Sequence, residues 1–232
     1  MSRQRILDTL RAGLAAAPLN VPPPPARPAP LPVGSDAPCS NDWTLLAEVL
    51  APLEVRLRLA TTPAEAARHV ADIARERGAA SYTRWQDMPP GCGVLEMDDA
   101  LAGLTRVTNI GADCCQALAQ VDLGLTWAQA ALLDSGSLVL VAGPGRERAV
   151  SLLPPTHVCL VARRALLPDV SALPELLHCH ADLSGNSTGG QLPSCLNLVT
   201  GPSSTADIEL VLVRGVHGPG ALDVVGLDWD LE

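Results

Sequence analysis

Residues 54–78 read EVRLRLATTPAEAARHVADIARERG, and this stretch decides the fold. Apolar residues alternate with charged ones from Glu54 to Ala60, which predicts a strand. Pro63 stands at the first position of the apolar-periodic run that follows, and Gly78 stands just past its end, so a helix is predicted from Thr62 to Arg77. A strand that leads directly into a helix is the repeating unit of α/β proteins.

Strands and helices alternate along the rest of the chain as well. Further strands are predicted at Thr105–Ile110, Val121–Leu125, Ser137–Ala142, His157–Ala162, Asn197–Thr200 and Ala221–Leu227. Helices are predicted at Asp42–Leu50, Trp127–Leu133, Asp169–His180 and Ala206–Val213, although Leu210–Val213 could equally be strand. Because the strands are mostly apolar, we expect an α/β fold with a mostly parallel sheet covered on both faces. Ligands of such sheets bind where loops leave the carboxyl ends of the strands.

Composition divides the chain into three regions. Residues 1–17 carry a helical stripe of aliphatic side chains and are predicted to form an N-terminal helix. Residues 18–40 are rich in proline, which fixes φ and donates no amide hydrogen bond, so they are predicted to form an extended linker. Residues 41–232 are then the main α/β domain.

The location of the protein can also be predicted from the sequence. No apolar run approaches the roughly 20 residues that span a bilayer, and the N-terminal arginines are not followed by the apolar segment of a signal peptide. The seven cysteines contain no CxxC pair, which indicates reduced thiols rather than a disulfide framework or a metal site. We therefore expect a cytoplasmic protein with no membrane span and no bound metal.

Charged residues exclude several classes of function. All 16 basic residues are arginine, and a protein without lysine cannot be a Schiff-base enzyme, a pyridoxal-phosphate enzyme or a Walker A nucleotide-binding protein. The net charge is −9, and the chain from Ser151 onward carries far more carboxylates than arginines. Because this acidic surface repels a phosphate backbone, nucleic acid is not expected as a partner.

The first candidate site is the sequence Asp134, Ser135, Gly136 and Ser137, which follows a predicted helix. Gly136 permits a left-handed turn, and the two serine hydroxyls would point at the mouth of the next strand, so these four residues are substrate-binding candidates. A turn without a ligand explains the same residues. Arg148, in the GPGRER loop, is a further substrate-binding candidate because guanidinium pairs with carboxylate or phosphate, although a solvated arginine is the alternative.

The second candidate site is the stretch GPSSTADIE, which starts at Gly201 and predicts the beginning of a helix. Ser203 and Thr205 would place hydroxyls near free backbone amides, and Asp207 and Glu209 add two carboxylates in the same turn. Hydroxyls and acids suit a hydroxyl-bearing ligand or acid/base chemistry better than a phosphate. Gly201, Ser203 and Thr205 are therefore substrate-binding candidates, and Asp207 and Glu209 are catalytic candidates. Helix capping alone is the alternative role of this stretch.

His217 is the third catalytic candidate. It lies in the glycine-bounded turn GVHGP, and an imidazole in a turn can transfer protons near neutral pH. A hydrogen bond to the backbone is the alternative role. We expect His217, the turn at 134–137 and the helix start near Ala206 to converge on one cleft at one rim of the sheet.

Several of these motifs together resemble a known family. The segments GPSSTADIELVLVRGVHGP (201–219), GLTWAQAALLDSGSLVL (124–140), SLLP (151–154) with His157, and the opening RQRILDTLRAGL (3–14) occur in the order seen in the LUD-domain family. Within it, the chain is similar to the lactate-utilisation protein C (LutC/YkgG) group. The resemblance spans nearly the whole chain.

The resemblance implies both a fold and a function. The fold implied is that of the NagB/RpiA/CoA-transferase-like superfamily, a Rossmann-like three-layer α/β/α arrangement. The function implied is that of a subunit of an L-lactate oxidising complex, an oxidoreductase that converts L-lactate to pyruvate alongside iron-sulfur partner proteins. Without clustered cysteines this chain cannot ligate such a cluster, so the clusters are expected on the partners, and no cofactor of this chain can be named.

Two other functions stay open from the sequence. One is a non-catalytic assembly or regulatory subunit whose polar loops contact partners. The other is a stand-alone sugar-phosphate or CoA-ester enzyme, which fold analogy alone suggests.

Overall fold

The computed structural model of the chain describes residues 42–108, 114–174, 176, 193, 195–206, 212–229 and 231. All of them belong to one unit within Gly34–Glu232. The predicted N-terminal helix (1–17) and proline-rich linker (18–40) lie outside the described residues, as does much of the predicted helix Asp169–His180. The division into these regions therefore stays a prediction.

The described elements follow in chain order. The strands are β1 (Arg56–Ala60), β2 (Ser81–Arg84), β3 (Thr105–Arg106), β4 (Leu123–Ala128), β5 (Ala130–Leu132), β6 (Leu138–Val141), β7 (Thr156–Ala162), β8 (Leu166–Leu167), β9 (Leu196–Val199), β10 (Ser204–Ala206), β11 (Leu212–Arg214) and β12 (Ala221–Leu227). The α-helices with defined bounds are α1 (Asp42–Leu50), α2 (Pro63–Glu76), α3 (Val94–Ala100), α4 (Cys114–Leu118) and α5 (Ala149–Leu152). Short 3-10 turns lie at Ala51–Leu53, Arg163–Ala165 and Val170–Ala172.

Six strands form a central sheet in the order β1-β12-β7-β4-β2-β3. Every neighbouring pair in this sheet is parallel. All amino ends therefore meet at one edge, called the amino edge below, and all carboxyl ends meet at the opposite carboxyl edge. The α/β class and the mostly parallel sheet that the sequence predicts are confirmed.

Helices cover both faces of this sheet. The strand register places Gly124 of β4 and Gly226 of β12 on the same face of the sheet. The backbone of α5 packs against Gly124, and Trp43 of α1 packs against Gly226. Asp223 points to the opposite face, because successive residues of a strand alternate in direction. Arg77, at the end of α2, reaches Asp223 there. Thus α1 and α5 cover one face, and α2 covers the other.

A second sheet, which the sequence analysis does not predict, adds to the layer that contains α1 and α5. Its strand order is β8-β5-β6-β9, and β6 pairs antiparallel with both of its neighbours. One face packs into the main core through Ala131, Leu138 and Leu140. The other face holds a smaller apolar cluster that includes Val139 and Leu173.

A buried carboxylate joins β1 and α2 to the middle of the sheet. The side chain of Asp223 is fully buried and accepts hydrogen bonds from Arg56 Nε at 2.7 Å and from Arg77 Nη2 at 2.9 Å. Arg56 also pairs with Glu76, whose pKa is lowered to about 2 by its hydrogen bonds to Arg58 and Arg56. Because a buried carboxylate needs such partners, the two arginines fix the end of α2 against β12.

Local signals predict several elements closely. Helix α1 and strand β12 have the predicted bounds. Helix α2 begins after Thr62, whose hydroxyl accepts a hydrogen bond from the Glu65 amide at 3.2 Å, and Gly78 beyond its end has the left-handed φ of 66°. No described helix has the length and apolar character needed to cross a membrane.

Two predicted helices are wrong. The region 127–133 forms the end of β4 and all of β5, because pairing with neighbouring strands overrides the helical preference of its alanines and leucines. In the region predicted as a helix over Ala206–Val213, Ala206 ends β10, whereas Leu212 and Val213 belong to β11, as the alternative prediction of a strand at Leu210–Val213 has it; the two strands pair antiparallel from Ser204 opposite Arg214. Residues 207–211 between these strands lie outside the described residues.

Candidate functional site

Three stretches lie at the amino edge of the central sheet, and each contacts the next one. They are the turn Asp134–Ser137, the segment from Thr200 to Ser203, and the glycine-rich turn at 215–220 that leads into β12. We call this region the amino rim. Its position differs from the sequence-based expectation, because ligands of open α/β sheets usually bind at the carboxyl edge.

The turn Asp134–Ser137 joins the antiparallel strands β5 and β6, so it closes a hairpin and does not follow a helix. Gly136 has the predicted left-handed φ of 69°, and a Cβ atom there would lie 3.0 Å from Leu50 Cδ2 at the end of α1. The hydroxyl oxygen of Ser137 lies 2.9 Å from that of Ser135 and 2.8 Å from that of Thr200. Three hydroxyls thus form a continuous hydrogen-bonded row.

The segment from Gly201 to Ser203 connects these hydroxyls to the glycine-rich turn. Gly201 lies against Leu53, which precedes β1. The amide of Ser203 donates to the carbonyl of Pro219 at 2.8 Å, and the amide of Gly215 donates to the carbonyl of Ser203 at 2.9 Å. The backbone of Ser203 is therefore held on both sides by the turn that contains His217.

His217 is exposed in this turn. Its neighbour Gly218 packs so closely on Ser203 that a Cβ atom at position 218 would lie 3.2 Å from Ser203 Cβ. Of the three catalytic candidates, His217 is the one that the structure describes, while Asp207 and Glu209 lie outside the described residues. Their catalytic roles stay predictions.

The capping interpretation of the GPSSTADIE stretch is wrong. Ser204 begins β10, and its hydroxyl donates to the carbonyl of Pro202 at 3.1 Å instead of capping a helix. Thr205 follows in the same strand. Free helical amides at Ser203 and Thr205, which the predicted helix start would provide, are therefore not present here.

Arg148 lies apart from the other substrate-binding candidates. Its Nη1 atom donates to Cys195 Sγ at 3.5 Å. Cys195 immediately precedes Leu196, which pairs with Val141 at the opposite end of the β6–β9 ladder from Ser137. That ladder is four residues long, so the end of β6 near Arg148 is about 13 Å from the end near Ser137.

An open depression of about 510 Å³ lies at the amino rim. Pro52 and Leu53 line one side, and the stretch from Thr200 to Pro202 lines the other, together with Leu198 and Ser204. Hydroxyls and backbone groups dominate its polar part, which suits a small ligand that bears hydroxyls.

His157 is buried near the amino rim, and no sequence motif marks it as a site residue. His157 Nε2 is paired with Thr126 Oγ1 at 2.8 Å, and both side chains are buried. Burial lowers the pKa of His157 to about 4, and it raises the pKa of the neighbouring Cys159 thiol to about 12. His157 is therefore neutral at physiological pH and holds two strands together, and its burial keeps it from direct contact with a ligand at the surface.

The fold is represented among solved structures. A DUF162 family protein from Deinococcus radiodurans matches with a TM-score of 0.54 over 81% of this chain and 96% of that chain, at 16% sequence identity. At that identity the match shows the shared fold. The LUD domain matches residues 45–225, which is most of the chain. The chain therefore belongs to the LUD domain family, as the sequence resemblance predicts.

Curated relatives share a shorter stretch. Lactate utilization protein C of Halalkalibacterium halodurans is 44% identical over 100 residues, which is 43% of this chain and 41% of that protein. The uncharacterized protein YkgG of Escherichia coli is 41% identical over 109 residues, covering 47% of this chain and 45% of that protein. Lactate utilization protein C of Bacillus subtilis is 37% identical over 100 residues, covering 43% and 40%. Each alignment spans less than half of the relative's own length.

Proposed function

We propose that this chain functions in lactate utilisation, as a subunit of a complex that oxidises L-lactate to pyruvate with iron-sulfur partner proteins. The observation that carries the proposal is its identity of 35–44% to aligned parts of relatives named Lactate utilization protein C. Family membership over residues 45–225 supports extending the comparison beyond those aligned parts.

We propose further that the amino rim binds the small hydroxy acid. Within the hydroxyl row, Thr200 lines the depression beside Gly201 and can hydrogen-bond a ligand there, while Ser137 is buried behind it and joins it to Ser135. The backbone of Ser203 links this row to the turn that holds the exposed His217, whose imidazole is the proposed base. Thr205, Asp207 and Glu209 belong to the same hypothesis, since their segment begins at Ser204 on the rim.

The chemistry requires a division of labour. Oxidation of a 2-hydroxy acid to a 2-oxo acid removes the hydroxyl proton together with a hydride from the adjacent carbon. His217 would take the hydroxyl proton, and a hydride acceptor must take the hydrogen of the hydride together with its two electrons, because an iron-sulfur cluster accepts electrons but not a hydride. We assign that acceptor to a partner protein, which then passes the two electrons to the iron-sulfur clusters. A cytoplasmic location fits the same proposal, because the described thiols of Cys92 and Cys159 are buried and reduced.

A second candidate function, that of an assembly subunit, is favoured by a specific observation. Leu152, Leu153 and Val216 are 39–54% exposed, and Leu152 lies beside the turn that contains His217. Exposed aliphatic side chains next to a polar rim are typical of surfaces that contact other proteins. In this role the rim would bind a partner instead of lactate.

Growth on lactate tests the proposed function. Deletion of the gene for this chain in its source organism is expected to abolish growth on L-lactate as the sole carbon source. Growth on pyruvate should be unchanged, because pyruvate is the product of the step that is lost. The full chain supplied on a plasmid should restore growth on L-lactate. A deletion strain that grows equally well on both carbon sources would contradict the proposal.

A further inference from the structure

A separate crevice lies at the carboxyl edge of the sheet, opposite the amino rim. Strand β12 lies between β1 and β7 in the sheet. The chain leaves β1 into α2 on one face, whereas it leaves β7 toward β8, which pairs with β5 in the layer on the other face. Where neighbouring connections leave a parallel sheet in opposite directions, a crevice opens between them, and small ligands bind there in many α/β proteins.

The crevice has the size and lining of a small-molecule site. Its volume is about 350 Å³. Leu57 and Leu59 of β1 form the floor, and Ala47 and Trp43 of α1 form one wall. Leu59 remains 41% exposed, which leaves an apolar surface for a ligand. Ligand pockets typically combine such a lining with a few placed polar groups.

Gly226 shapes the bottom of the crevice. A Cβ atom at this position would lie 2.6 Å from Leu59 Cδ2 and 2.8 Å from Trp43 Cζ3. The glycine therefore allows both side chains to approach the sheet closely, and Trp43 to direct its indole nitrogen toward the end of β12. A larger residue would push them into the open volume.

Two opposite charges stand at the mouth of the crevice. Asp228 Oδ1 accepts a hydrogen bond from Trp43 Nε1 at 3.0 Å and lies 3.2 Å from Arg163 Nη1. Both of these contacts use Oδ1 of Asp228. The side chains of Asp228 and Arg163 are 29% and 35% exposed, so both can be reached from the crevice.

We propose that this crevice binds an α-amino acid with an aliphatic side chain of about the size of leucine. The ligand carboxylate pairs with the guanidinium of Arg163, which matches a carboxylate in geometry. The ligand ammonium donates to Asp228 Oδ2, and the aliphatic side chain packs on Leu57 and Leu59. A zwitterion suits this site, because Arg163 and Asp228 both line it. The proposal goes beyond lactate utilisation and uses no residue of the amino rim.

Isothermal titration calorimetry of the full chain tests the ligand class. The probes are L-leucine, 2-hydroxy-4-methylpentanoate, which replaces the ammonium with a hydroxyl, and 4-methylpentanoate, which lacks both. L-Leucine is expected to bind saturably, and each of the other two at least about tenfold more weakly, because a charge-assisted hydrogen bond is lost. No binding of L-leucine, or equal binding of all three probes, would overturn the proposal.

Variants test the position of the site. Arg163→Gln is expected to weaken L-leucine binding at least about tenfold, whereas Arg164→Gln removes the same charge from the adjacent, exposed residue and should leave binding unchanged. Ala47→Leu, on the exposed side of α1, should fill the crevice and weaken binding without unfolding the chain. Thermal unfolding confirms that each variant is folded. L-Leucine affinity that is unchanged in both Arg163→Gln and Ala47→Leu would place the ligand elsewhere and overturn the assignment.

Discussion

Replacing Gly124 with alanine is expected to lower the free energy of unfolding by about 3 kcal/mol or more, at or above the upper end of overpacking effects in cores. Gly124 lies in the middle of the sheet, between His157 of β7 and Thr83 of β2. A Cβ atom there would overlap the backbone carbonyl oxygen of Val150 in α5. Because backbone in a packed layer cannot rotate away as a side chain can, α5 must move as a unit.

Urea unfolding of the Gly124→Ala protein measures this effect, and Gly103→Ala provides the matched control. A Cβ atom at position 103 meets no atom within 4 Å, and its backbone is not in the left-handed region. The control should therefore stay within about 0.5 kcal/mol of the wild type. Equal stability of the two variants would show that α5 does not pack on β4 as described.

Acidification is expected to remove about 3 kcal/mol of stability through His157 alone. Burial lowers the pKa of His157 to about 4 in the folded chain, compared with about 6.5 in an unfolded one. Between these pH values the unfolded state binds more protons at this position, so stability falls as the pH drops from 6.5 to 4. A pKa difference of one unit corresponds to about 1.4 kcal/mol of stability, so the difference between about 6.5 and about 4 gives a loss of about 3 kcal/mol.

The comparison of His157→Gln with the wild type isolates this contribution. The variant should be less stable at pH 7 but should lose less stability than the wild type between pH 6.5 and 4. His69→Gln makes the same replacement at the surface of α2, beside the Leu59 carbonyl, and serves as the matched control for the loss of an imidazole. If the pH dependence is the same in all three proteins, His157 is not buried in its neutral form.

Elements defined by local signals could be predicted from the sequence. The proline after Thr62 and the glycine at 78 mark the two ends of α2, and the aliphatic run at Ala221–Leu227 defines β12. Strand β5 could not be predicted, because Ala130–Leu132 has no local strand signal and is set by pairing with β6 and β8. Long-range pairing also determines the strands β10 and β11, where capping residues suggest a helix.

The candidate site shows the same division. The glycines at 136 and 215 have the left-handed φ values that turns require, and sequence alone indicates both turns. That both turns lie at the amino edge, joined by the segment from Thr200 to Ser203, depends on the strand order, which no local sequence pattern predicts. Ligand binding at the carboxyl edge is expected from the fold class, but the residues of the crevice could not be predicted, because Trp43, Arg163 and Asp228 come from three distant parts of the chain.

Calorimetric titration of L-lactate into the full chain tests most directly whether the amino rim is a binding site. We predict saturable binding to the wild type that is at least about tenfold weaker in His217→Ala and Ser203→Ala, because each variant removes a polar partner of the ligand. His69→Ala and Arg163→Gln lie outside the rim and should bind as the wild type does. An absence of L-lactate binding, or equal affinity in all variants, would contradict the site.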